Sequence, residues 1–384
     1  MSVDEGNRLP DRHAAGWQQL EADDVSLTVG EHYTTLADIV RDEAALHGLE
    51  DDQEPLSGAG LKAFCRGKQA SLLRFGVSRG SRVCLAVGNG PTAIVALLAL
   101  AERHAVVPLD AVQELAVTEE GLRRLLQAIA PVAMVLGCDD INPKRQRTVC
   151  RLCADLGVVA VLLTKDPSPT GCFSLARASS EDGVGDNREG EKVGTIESPS
   201  GAAGGGAPAA SHVVSVHPLP ASRSACDDIA VIMRTSGTTS APKLVPLTHR
   251  NLCCGALCVA STLRLEPADV CLNMMPLHHL HGVLFNCLAS FAAGTSVICT
   301  PGFAGGKQTL AWLESYPVTW YSAVPAIHRS LLAEAKRQIS QTGEPPVHRL
   351  KFIRNCSAPL AASTAEQMQD CLRCDVMTTW VLCP

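Results

Sequence analysis

Four short apolar runs, RVCLAV, AVVPLD, VAMVLG and GVVAVLLT, follow one another between Arg82 and Thr164. Stretches with helical periodicity separate the first three: a long one from Pro91 to about His104, then TEEGLRRLLQAIA. Apolar runs of strand length alternating with helices specify a parallel sheet covered on both faces, an α/β fold. The pattern resumes downstream. DIAVIM, DVCLNMMP, SVICTP, VTWYSAV and LKFIRN read as strands, and NLCCGALCVAST, HHLHGVLFNCLASFAAG and the segment after Pro325 read as helices. TTLADIVRDEAALHG and LKAFCRGKQASLLRFGV also read as helices.

Between these two α/β lobes the composition changes. No aromatic residue occurs between Phe173 and Phe285, and Ser179–Ser211 contains GAAGGGAPAAS with scattered charges. Such a stretch buries too little apolar area to offset its ordering entropy. The expected organisation is a loose extension over 1–32, a first lobe over 33–165, a disordered insertion over 166–226 and a second lobe over 227–384.

Composition narrows the partners. A net charge of −6 and the lack of a basic stripe with interleaved aromatics argue against nucleic acid. The longest purely apolar run, Ala93–Ala101, is far shorter than a membrane span of roughly 20 residues. MSVDEGNRLPDRH lacks the charge and apolar pattern of a signal peptide, so a cytoplasmic location is expected. The 17 cysteines then read as thiols in a reducing compartment. CRLC at Cys150 and Cys153 lies too far from CLRC at Cys371 and Cys374 to read as a zinc site, and no metal ligands are assigned.

The strand DIAVIM runs into TSGTTSAPK, Thr235 to Lys243. A strand, a Ser/Thr/Gly loop and then a helix can hold phosphate. Gly237 lets the turn close into a nest of N–H groups. Thr235, Ser236, Thr238, Thr239 and Ser240 bring hydroxyls, and Lys243 brings a compact positive charge. Pro242 before the lysine and Leu244 after it do not fit GxxxxGK[ST], so an ordinary P-loop is disfavoured. A rival nucleotide site lies upstream. Gly88, Gly90 and Ala93 form GxGxxA between a strand and a helix, with Asp110 placed for a ribose hydroxyl, as in a NAD-binding oxidoreductase. The same residues are also a tight turn in which Pro91 starts the helix.

TSGTTSAPKLVPLTHRN resembles the phosphate-loop signature of adenylate-forming enzymes: acyl-CoA synthetases, luciferases and peptide-synthetase adenylation domains. Thr248, His249 and Asn251 are in register, and Ser240 replaces a glycine. PLHHLHG resembles the family's PLFHxxG, with His279 at its histidine and His278 in place of an aromatic. FIRNCSAPL resembles the segment that lines adenine, through Ser357, Ala358 and Pro359. GVSRGSRVCLAVGNGP is similar to the family's GVxxGDRVxxxxxNxP. The combination most resembles oxalate–CoA ligases.

The resemblance implies the large domain of an adenylate-forming enzyme and an ATP-dependent, AMP-forming carboxylate–CoA ligase. Its reactants would be ATP with Mg2+, coenzyme A and a small organic acid such as oxalate, or a short or medium acyl acid. Thr235, Lys243 and His279 would be catalytic, and His281 and Arg354 would join His279 around the acid. Where the family continues into Tyr-Gly-x-Thr-Glu, this chain reads MTTWVLCP. The tyrosine, the magnesium-binding glutamate and all later motifs are therefore expected to be missing. That implies an incomplete and weakly active or inactive chain, or a non-catalytic nucleotide-binding protein; a peroxisomal address would go with the missing part.

Overall fold

The computed structural model describes residues 33–49, 53–67, 71–178, 225–235 and 243–379. Its strands are β1 (Ala45–His47), β2 (Leu56–Ser57), β3 (Arg82–Ala86), β4 (Ala105–Pro108), β5 (Ala133–Gly137), β6 (Val159–Lys165) and β7 (Phe173–Arg177). After residue 224 come β8 (Ile229–Arg234), β9 (Leu244–Thr248), β10 (Val270–Asn273), β11 (Ser296–Cys299), β12 (Trp320–Ala323), β13 (Phe352–Asn355) and β14 (Asp375–Thr378). They form two sheets, ordered β7-β6-β5-β3-β4-β8-β9 and β14-β13-β12-β10-β11-β1-β2. Both are parallel except where β7, β9 and β2 pair antiparallel with their neighbours.

The period-2 alternation of the strands assigns each side chain a layer. Val83, Leu85, Ala133 and Val135 of the first sheet point into one core with Cys271, Val297, Trp320 and Phe352 of the second. Cys84, Ala86, Met134 and Leu136 point the other way, onto Leu122, Leu126, Val149 and Leu152 of two outer helices. Leu272, Tyr321 and Ile353 pack outward against Leu310, Leu331 and Met368. Between the sheets lies the helix Pro91–Ala101, whose residues from Thr92 to Ala101 are all buried. This explains the apolar run Ala93–Ala101: a helix faced by a sheet on both sides has no solvent face.

The sheets do not divide where the sequence does. β8 and β9 join the sheet of β3–β7, and β1 and β2 join the sheet of β10–β14. The described parts of the expected insertion, 166–178 and 225–226, are also structured. β7 pairs with β6, and its Phe173 is buried with its ring 5.0 Å from that of Phe64. The expected extension over 1–32 and the remainder of the insertion, 179–224, lie outside the described residues.

Three expected helices are corrected. Thr34–Gly48 forms turns and then β1. The Asp38 carboxylate accepts the Thr34 and Thr35 N–H groups at 2.8 and 2.9 Å, which closes a turn in place of a helix. Leu36 N–H is taken by His249 Nδ1 at 3.0 Å, a partner 213 residues away. Helix Gly58–Arg66 stops at Gly67, and Leu72–Phe75 forms a separate 3-10 turn. The helix expected from His278 begins at His281, with π-helical geometry through Leu288, and continues as α-helix over Ala289–Ala293. Among the described residues no helix is long and apolar enough to cross a membrane.

Candidate functional site

The carboxyl ends of parallel strands from both sheets open onto one cleft, the position at which open α/β sheets bind ligands. A cavity of about 530 Å³ lies there, and Gly88, Asn89, Asp110, His278, His279 and Phe303 are among its lining residues. The segments after β3, β4, β10 and β11 supply these six.

The hydroxyl-rich loop is presented by a hairpin. β8 and β9 pair antiparallel up to Arg234 and Leu244. Beyond them Thr235 N–H donates to the Lys243 carbonyl at 3.0 Å, and Lys243 N–H donates to Thr235 Oγ at 3.2 Å. Ser236, Gly237, Thr238, Thr239, Ser240 and Pro242 lie outside the described residues. β9 ends at Thr248, which caps the next helix: its Oγ accepts Asn251 N–H at 3.1 Å, and Asn251 Oδ1 accepts Thr248 N–H at 3.0 Å. The Thr-His-x-Asn spacing is thus a capping box. Its histidine, His249, is buried beside the Thr34–Val40 turns, and burial pushes its pKa down to about 4.

Charge connects the base of this hairpin to the histidines. Arg234 pairs with Glu114, whose Oε2 accepts Asp110 N–H at 3.2 Å. Asp110 Oδ2 stands 3.9 Å from His278 Nε2. The His278 and His279 rings lie 4.2 Å apart, tilted. Burial, helped by the neighbouring His279, pushes His278 down to about 4, against the pull of Asp110. Burial also lowers His279.

His281 is placed differently. It is buried, with Nδ1 3.0 Å from Ser357 Oγ and Nε2 2.8 Å from Ser322 Oγ. Burial and then the Arg354 charge push its pKa down to about 3. Arg354 is 4% exposed; Nη1 donates to Ser322 Oγ at 3.3 Å, and the guanidinium stands 4.7 Å from the centre of the Phe285 ring. Its described contacts are Ser322, Phe285 and Cys356, none of them a carboxylate. Gly282 fits this turn because a Cβ would sit 2.6 Å from the Pro276 carbonyl.

Ser357, Ala358 and Pro359 are exposed at the end of β13. Ser357 holds a left-handed φ of 71°, strained for a non-glycine residue, and Asn355 Nδ2 donates to the Ala358 carbonyl at 2.8 Å. The structure therefore gathers His281, Arg354 and Ser357 around Ser322, and sets His279 with His278 and Asp110 at the cavity. Sequence reasoning missed Ser322, Phe285 and Asn89. A hydroxyl within the apolar strand WYSAV was the signal for Ser322.

The GxGxxA turn is used internally. Gly88 N–H donates to Asp140 Oδ2 at 2.7 Å, and Asp140 pairs with Lys165 at 3.0 Å. A Cβ on Gly88 would lie 2.5 Å from Asp140 Oδ1. Asp110 Oδ1 accepts Val112 and Gln113 N–H, each at 2.9 Å. The Gly88 N–H and the Asp110 carboxylate are thus both taken up inside the fold, against the NAD reading. Among the described residues no group of three His, Cys, Asp or Glu side chains is arranged to hold a metal ion.

Two helix-covered sheets meeting at a cleft define an α/β domain with its candidate site at the carboxyl ends of the strands. The family model described as AMP-binding enzyme matches residues 37–381, and the chain belongs to that family. It is 35% identical over 158 residues to an oxalate–CoA ligase of Arabidopsis thaliana, a match covering 41% of this chain and 30% of that protein. It is 34% identical over 157 residues to the oxalate–CoA ligase of Saccharomyces cerevisiae, covering 40% of this chain and 27% of that protein. ATP-bound MatB from Rhodopseudomonas palustris superposes with a TM-score of 0.62 at 21% identity, over 88% of this chain and 56% of that one, a likeness of fold. Each match spans less than two thirds of the relative's length.

Proposed function

We propose that the chain carries the nucleotide and acid sites of an ATP-dependent, AMP-forming carboxylate–CoA ligase whose acid is a small dianion such as oxalate. The observation that carries this reading is the buried Arg354 guanidinium with no carboxylate among its described contacts. A buried guanidinium with no carboxylate among its described contacts costs roughly several kcal/mol, which an anionic ligand offsets. His281, whose two ring nitrogens bond Ser357 and Ser322, stays neutral and adds no second cation beside Arg354.

In the reaction, one carboxylate oxygen of the acid attacks the α-phosphorus of ATP. The bond to the bridging oxygen breaks, pyrophosphate leaves and an acyl-adenylate forms. The thiolate of coenzyme A then attacks the acyl carbon and AMP leaves. The loop from Thr235 to Lys243 holds the β and γ phosphates, with Ser236, Gly237, Thr238, Thr239 and Ser240 as its donors. Ser357, Ala358 and Pro359 flank adenine, His279 borders the reacting carboxylate, and Arg354 faces the other carboxylate. Mg2+ would arrive on the triphosphate and neutralise its charge. A reducing compartment such as the cytoplasm suits the sixteen described cysteines, all of them free thiols.

The test is calorimetry with ATP present, comparing oxalate with acetate. Oxalate should bind at least about tenfold more tightly, and Arg354→Met should remove the difference. Equal binding of the two acids overturns the dianion assignment. ATP binding without ATP–pyrophosphate exchange supports a non-catalytic nucleotide-binding protein instead.

A further inference from the structure

The side chain of Asn89 spans the two sheets. It follows β3 in the first sheet; its Oδ1 accepts Leu277 N–H at 2.8 Å and its Nδ2 donates to the Thr300 carbonyl at 2.9 Å, both in the second sheet's outgoing turns. Leu277 immediately precedes His278 and His279. Thr300 N–H donates in turn to the Asn273 carbonyl at 3.1 Å. Asn286 Nδ2 bonds Asn273 Oδ1 at 2.9 Å and the Ser322 carbonyl at 3.2 Å, and Ser322 Oγ meets His281 at 2.8 Å. Asn273, Asn286, Thr300 and Ser322 are fully buried. A continuous chain of hydrogen bonds thus runs from the turn after β3 to His281 and Ser357.

The near end of this chain is also anchored. Asp140, paired with Lys165, holds the Gly88 N–H adjacent to Asn89. A carboxamide suits the bridge because it offers a donor and an acceptor in one plane. Aspartate keeps only the acceptor and alanine neither.

We propose that Asn89 is a positioning residue that holds the turn carrying His278 and His279 against the first sheet, and so fixes the acid side of the cleft. What it positions rests on the ligase reading; the bridge itself does not. Because the helix Pro91–Ala101 and its core already join the sheets, losing the bridge loosens the turn and leaves the fold in place.

The test compares wild type, Asn89→Ala and Asn89→Asp by amide hydrogen exchange and by separate calorimetric titrations with ATP and with oxalate in the presence of ATP. In Asn89→Ala the 274–282 segment should exchange about tenfold faster or more, while the helix Pro143–Asp155 is unchanged. Oxalate should bind about tenfold more weakly and ATP within about twofold of wild type. Asn89→Asp, which keeps the Leu277 bond, should fall between the two, and it decides the matter if the alanine variant does not fold. Unchanged exchange at 274–282, exchange raised evenly through the core, or equal loss of ATP and oxalate overturns the proposal. If wild type binds neither ligand, the ligase reading fails, and the exchange result alone supports or overturns the bridge.

Discussion

His281 Nδ1 lies 3.0 Å from Ser357 Oγ, which joins the histidine turn after β10 to the exposed segment after β13. Burial holds the ring neutral, so it offers one donor and one acceptor, and the hydroxyls of Ser357 and Ser322 rotate to match. Replacing His281 with alanine takes the imidazole partner from the buried Ser322 hydroxyl and leaves it the longer Arg354 bond. His281→Ala should lower stability by about 1–3 kcal/mol in urea denaturation and weaken oxalate binding with it.

Acid should destabilise the fold through its buried histidines. Burial lowers His104, His249, His278 and His328 to about 4 and His281 to about 3. Below the unfolded value near 6.5 the unfolded chain takes up protons that the folded chain refuses. Stability should be flat above about pH 6.5 and fall as the pH drops towards 4. Urea titrations between pH 7.5 and 4.5 check this, and His249→Gln should flatten the slope.

Gly88 and Asp140 should be energetically coupled. Gly88→Ala places a Cβ against the Asp140 carboxylate and should cost about 1–3 kcal/mol. Gly88→Ala combined with Asp140→Ala should cost less than the two singly, as read from a double-mutant cycle of urea midpoints. Asp110→Ala should have no effect on NADH binding, because Asp110 and the Gly88 N–H are bonded within the fold.

The Thr248 capping box gives a smaller and local prediction. Thr248→Ala should destabilise by about 1 kcal/mol in thermal or urea unfolding, while Thr248→Ser should be close to wild type.

The elements legible in the sequence were those whose pattern is local. The strands from Arg82 to Lys165 and the Pro91 helix start follow from periodicity and local backbone chemistry over a few residues. Distant partners set the rest. Thr34–Gly48 carries helical spacing, but Asp38 closes its turns and His249 takes the Leu36 N–H. β7 was hidden because Phe173 becomes a strand residue only against β6 and Phe64. In the site, motif resemblance pointed to His281, Arg354 and Ser357 one by one. Their meeting at Ser322 depends on β12 pairing with β13, with Ser322 opposite Arg354. Asn89 stood in a quoted motif, yet its partners lie 188 and 211 residues away.

The proposed ligase chemistry requires the β8–β9 hairpin to hold a nucleoside triphosphate, and titration calorimetry of ATP against wild type and Lys243→Ala tests this directly. Wild type should bind ATP and Lys243→Ala should weaken that binding by about tenfold or more, with the unfolding midpoint unchanged. ATP affinity that is the same in both proteins, or absent from the folded wild type, would contradict it.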